Sequence, residues 1–147
     1  MAKIRVMLFG VFAFLLLVPG AEADDRELIS LSPELQGALL SNMRDHLNAL
    51  HTVIGLLAKG ENEGAAQVAD ERLGMSSMAH HGHHIGKHVP ASYRAMGTRM
   101  HQAGSSLITV VQDASMEEPD VEAQMIFGAL EELVESCDAC HLSFRIK

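Results

Sequence analysis

Residues 32–57 read SPELQGALLSNMRDHLNALHTVIGLL, and the reading of this stretch decides the fold. Ser32-Pro33-Glu34 has the composition of a helix start. It offers a hydroxyl to cap free amides, a proline at the first helical position and an acid in the first turn. Beyond it Gln36, Leu40, Met43, Leu47, Leu50, Ile54 and Leu57 recur at alternating steps of four and three. That spacing marks one face of a helix, not the alternation of a strand. Gly60 closes the segment.

The same periodicity returns downstream. An Ala-rich segment, GAAQVADERLG, predicts a second helix with Gly74 as its C-cap. A third begins around Pro90, with Tyr93, Met96, Met100, Ala103, Leu107, Val110 and Ala114 on its stripe. The fourth starts near Pro119-Asp120, and Ile126, Leu130, Leu133, Cys137, Cys140 and Phe144 carry its stripe to the end. No stretch alternates as a half-buried strand does. Four amphipathic segments joined by short Gly- and Pro-marked turns predict an all-α fold, an antiparallel four-helix bundle. Core packing is the ordinary role of such Met and Leu stripes.

The first residues carry a different message. Lys3 and Arg5 precede an apolar run from Val6 to Val18, Pro19-Gly20 breaks it, and Ala21-Glu22-Ala23 has the A-x-A form of a cleavage site. Residues 1–23 read as a secretory signal peptide, too short for the roughly 20 apolar residues of a membrane span. The expectation is therefore an exported, periplasmic domain over residues 24–147 with no stable membrane insertion. With 19 acidic against 11 basic residues, no Trp and one Tyr, the chain lacks the basic face and aromatic platforms of a nucleic-acid binder. A basic partner suits it better.

The last residues, ESCDACHLSFRIK, hold both cysteines of the chain. A disulfide, a metal site, a redox-active dithiol and a covalently attached haem are the candidate reasons. Export permits a disulfide, but a two-residue gap closes a loop too short to constrain much. A redox dithiol normally opens a helix in an α/β pattern. On a helix, Cys137, Cys140 and His141 lie at i, i+3 and i+4 and point to one side. Two thiols can then meet the two vinyl groups of a flat macrocycle while the imidazole reaches its iron. C-x-x-C-H is the c-type haem attachment signature. A Cys-x-x-Cys zinc site usually brings a second ligand pair, and only the histidines of residues 80–88 offer one.

An exported helical chain ending in C-x-x-C-H-x-x-(Tyr/Phe)-Arg resembles the cytochrome c′ family and its low-spin class II relatives. Cys137, Cys140, His141, Phe144 and Arg145 carry the resemblance. It implies one covalent haem c inside the bundle, with Cys137 and Cys140 as thioethers and His141 as proximal iron ligand. It also implies that Arg145 lies near the proximal face. In that family the first helix covers the other face, with either an apolar residue or a methionine. Met43 is the corresponding candidate for a sixth iron ligand here, its thioether competent for ligation and equally good as core filler. His46, one turn on, is an alternative ligand. Leu40 is the rival occupant that would leave the site open. Where the family often has a propionate-pairing arginine this chain has Gln36 or Leu39, and Arg44 is a replacement for that contact.

The cluster HHGHHIGKH holds His80, His81, His83, His84 and His88. If helical, it aligns His80, His84 and His88 at i, i+4 and i+8, a face able to bind Cu²⁺, Zn²⁺ or Ni²⁺. If a loop, it is a pH-sensitive solvated segment. His101 sits at the core edge of the third stripe or approaches the haem. No Ser-His-Asp or paired-acid constellation is visible, so the reading is non-catalytic. With Met43 on iron it is electron transfer between periplasmic redox proteins, which would dock through basic faces. With an open site it is NO or CO binding. The third option is a His-rich divalent-metal-binding helical bundle with Cys137 and Cys140 as thiolates. A homodimer through outward faces stays open.

Overall fold

The computed structural model describes residues 24–79 and 85–147. The expected signal peptide over 1–23, and His80, His81, His83 and His84, lie outside the described residues. Among the described residues four α-helices dominate: α1 (Pro33–Leu57), α2 (Asn62–Arg72), α3 (Ala91–Ala114) and α4 (Pro119–Ser143). Two 3-10 turns, Met75–Ala79 and Ile85–Lys87, lie between α2 and α3. Among the described residues no helix is long and apolar enough to cross a membrane.

The helix ends follow from local chemistry. Ser32 caps α1 by accepting the Leu35 amide on Oγ at 3.3 Å, with Pro33 in the first turn. Gly60 ends the α1 turn at φ 75°, a conformation that favours a residue without Cβ. Gly74 plays a different part from a left-handed C-cap. A Cβ there would lie 2.6 Å from Asp70 Oδ1 and from Ser105 Oγ, so close packing on α3 requires the glycine.

Sequential helices pack on each other, α1 on α2, α2 on α3 and, most extensively, α3 on α4. One core gathers Val53, Ala66, Leu107, Val111 and Ile126 from all four helices. A second, smaller cluster holds Ala49, Leu73, Met100, Ala103 and Leu133. Fully burying a leucine such as Leu107 or Leu133 is worth about 1.5–3 kcal/mol.

The buried face of α1 differs from the expected stripe. Leu39, Ala49 and Val53 are buried, whereas Leu40, Leu47 and Ile54 are exposed at 38, 70 and 50 %. Both sets have helical spacing and lie about one residue apart around the axis. Ala49 is fully buried beside Leu73, Met100, Ala103 and Leu133, and Val53 beside Ala65, Ala66 and Ala69 of α2.

A second difference is a pair of short strands. β1 (Glu27–Ile29) and β2 (Phe144–Ile146) run parallel, Glu27 opposite Phe144 and Ile29 opposite Ile146. The α4 stripe was expected to run on to Phe144. Instead the helix stops at Ser143, and Phe144 turns extended and is buried with Ile29 and Val89. Three-residue strands from opposite ends of the chain leave no alternation to read. Arg26 reinforces the junction, donating to the His141 carbonyl at 3.2 Å and to Asp24. That side-chain hydrogen bond, above all, lowers the Asp24 carboxyl to about 2.

Gly104 and Gly128 give opposite expectations. A Cβ on Gly104 would meet Leu73 and Gly74 backbone atoms at 2.8–2.9 Å, while one on Gly128 meets nothing within 4 Å. Gly104→Ala should cost about 1–3 kcal/mol through overpacking, outweighing its helix-propensity gain. Gly128→Ala should stabilise by up to about 1 kcal/mol. Urea unfolding of both variants checks the pair.

Candidate functional site

Because α4 runs unbroken through Ser143, Cys137, Cys140 and His141 share a face, and all three line one cavity. Its volume is about 400 Å³, within the roughly 300–1,000 Å³ of small-molecule sites. Leu133 continues the α4 wall. Met43, His46 and Leu50 of α1 contribute a second wall, and Tyr93, Met96, Met100 and His101 of α3 a third. Leu73, Met78, Ile85, Gly86 and Val89 add to the lining.

The chemistry of the two thiols follows from burial. Desolvation pushes both the Cys137 and Cys140 thiols up, and for Cys140 the neighbouring Cys137 adds to the effect. Both are therefore neutral thiols near pH 7. His141 is exposed at the cavity rim, and the bond from Arg26 to its carbonyl fixes its backbone.

On α1, Met43 and His46 line the cavity, as their candidacy as ligands requires. Leu40 does not. It lies on the outward stripe, and Leu39 takes the cavity-lining position instead. Leu47, on the same exposed stripe as Leu40, does line the cavity.

His101 comes forward. Its ring packs edge-on to His46 with centroids 5.9 Å apart. Its Nδ1 lies 2.8 Å from the Leu73 carbonyl, with Ser77 Oγ at 3.3 Å. A carbonyl only accepts, so Nδ1 carries a proton and donates to it. Such a bond from behind is how proteins orient metal-binding histidines. Periodicity placed His101 only at an edge; the Leu73 carbonyl that orients it comes from another helix end.

Arg145 does not line the cavity. Its Nε donates to the Arg26 carbonyl at 3.3 Å and lies 3.6 Å from Asp24. His88 is exposed just after a 3-10 turn, its amide bonded to the Ile85 carbonyl at 2.8 Å. It continues no α-helical face, since Gly86 and the approach to Pro90 disfavour helix there. The expected i, i+4, i+8 alignment with His80 and His84 falls on residues outside the described ones, and His88 itself lies outside any α-helix. Among the described residues no group of three or more His, Cys, Asp or Glu side chains gathers as a metal site.

Tyr93, the one tyrosine of the chain, stacks edge-on to Phe144 at 5.3 Å. Desolvation, then the charge of Cys140, raises its phenol to about 12 from 10.0. Comparison with known protein families, characterised proteins and solved structures returns no match for this chain.

A raised folded pKa implies stability that is intact below pH 10 and is lost as pH climbs from about 10 to about 12. Phenolate absorbance of the single tyrosine should rise with a midpoint near 12. Tyr93→Phe should flatten the stability-against-pH curve over that interval, which urea midpoints at pH 9, 10 and 11 can check.

Proposed function

We propose that this chain is a periplasmic mono-haem c-type cytochrome, built as an antiparallel four-helix bundle, that transfers single electrons between redox proteins. The observation that carries the reading is the convergence of Cys137, Cys140 and His141 on one apolar cavity, with Met43 and His46 contributed by α1. The donor set fits a haem c: two thiols for the covalent links, one rim imidazole, and soft or imidazole ligands on another wall. When bound, the haem supplies a one-electron iron couple.

The protein's own contribution is placement and exclusion of water. Cys137 and Cys140 attach the macrocycle to α4, and His141 supplies the proximal nitrogen. Leu39, Leu50, Leu133 and Met100 give it an apolar surround, which favours retention of the flat ring and tunes its potential through the local dielectric. Met43 is the proposed sixth ligand, with His46 the alternative on the same wall. The acidic net charge of −8 suits docking to basic faces of partner proteins.

The test is the visible spectrum of protein purified from the periplasm, oxidised, reduced, and reduced under CO. A low-spin spectrum indifferent to CO is expected. Met43→Ala should then make the iron high-spin and CO-reactive with a lower potential, and Cys137→Ser with Cys140→Ser should abolish covalent haem. A high-spin wild type that shifts with CO would replace electron transfer with NO or CO binding. No haem absorbance in correctly exported protein would sink the reading and leave the metal-thiolate alternative.

A further inference from the structure

The charge inside the cavity runs against the charge of the chain. The protein carries 19 acidic and 11 basic residues, yet among the described residues no Asp or Glu lines the cavity and Arg94 is the one always-charged side chain there. Arg94 is exposed at the rim while most of the lining is apolar.

Its guanidinium is held in place. Nη1 donates to the Gly86 carbonyl at 3.0 Å and to the Val89 carbonyl at 2.7 Å. Its stem lies over Gly86, where an added Cβ would sit 3.8 Å from Arg94 Cδ. Nε and Nη2 bond to nothing among the described residues. A pinned guanidinium with several unused donors is pre-organised to accept a carboxylate, because little side-chain entropy remains to be lost.

The position is otherwise unfavourable. Arg94 stands at the beginning of α3, where the helix dipole disfavours a cation by about 0.3–1 kcal/mol. Pro90 at the N-cap offers that helix end no side-chain hydrogen bond. An anion at the rim would satisfy both features. A residue placed against a local rule, without a partner for its charge among the described residues, points to a role supplied by a ligand.

We infer that Arg94 is the anion-binding group of this cavity and that the cavity takes an amphipathic acid, its flat apolar body inside and its carboxylate at the rim. Resting on the cytochrome reading, that carboxylate is a haem propionate. The contact then comes from α3, whereas Arg44 of α1 is exposed and lines no part of the cavity.

The experiment begins with the haem content of the exported protein, which tests the cytochrome reading alone. If haem is present, midpoint potentials are measured for wild type, Arg94→Gln, Arg94→Lys and Arg44→Gln. Loss of a cation beside the cofactor disfavours reduction. Arg94→Gln should lower the reduction equilibrium about tenfold, about 59 mV for one electron. Arg94→Lys should recover most of that shift, and Arg44→Gln should show less than a third of it. An unchanged Arg94→Gln potential overturns the inference, as does a lysine variant no better than glutamine or an equal effect of Arg44→Gln. If circular dichroism shows that Arg94→Gln loses helix, Arg94→Met, which keeps the stem over Gly86, takes its place. If haem is absent, the cytochrome reading fails and the inference is read with two aromatic probes. Arg94→Gln should weaken 8-anilinonaphthalene-1-sulfonate about tenfold and leave the uncharged N-phenyl-1-naphthylamine unchanged. Equal effects on both probes, or none on either, overturn it.

Discussion

The contact between the Leu73–Gly74 turn and Gly104 of α3 sets the position of much of the cavity. Two backbones approach there so closely that no Cβ fits on either glycine without movement. The approach brings Leu73 into the core and aims its carbonyl at His101. A polar lattice secures it. Asp70 accepts from Ser105 and from Ser76, and Ser105 Oγ accepts the Met75 amide at 2.8 Å. The Ser105 bond, above all, lowers the Asp70 carboxyl. Without this junction the α3 wall and the turns after α2 would lose their common reference.

A second junction, between the segment after residue 23 and the residues after α4, lies beside the cavity. β1 and β2 pair in parallel directly after Ser143, and Ile29, Phe144 and Val89 bury themselves beside Tyr93, Met96 and Cys140. This packing ties the segment that follows residue 23 to the helix turn carrying the cysteines. Phe144 and Arg145 therefore serve the junction rather than the cavity lining: one is buried under the strand pair, the other is engaged by Asp24 and the Arg26 carbonyl. The arrangement gives the last residues of the chain a structural reason independent of any cofactor.

Between these two junctions the cavity combines apolar walls with a few polar groups of distinct kinds. The thiols are kept neutral by burial, His101 has its ring oriented by a carbonyl, and Arg94 stands pinned at the rim. Such a lining sets an apolar surface beside one fixed cation, although the chain as a whole is acidic.

Much of this was legible in the residues themselves. Helical spacing, Ser32-Pro33, Gly60, Pro90 and Pro119 mark helices whose bounds the structure bears out, because caps and breakers act locally on the backbone. The adjacency of Cys137, Cys140 and His141 also follows from helical period alone. Periodicity, however, left two adjacent apolar stripes on α1, and only packing, which buries Ala49 and Val53, chose between them, exposing Leu40. It could not join β1 to β2, or Leu73 to His101. Those contacts link segments whose proximity no local pattern encodes, and the tertiary structure decides them because they depend on how closely whole helices can approach.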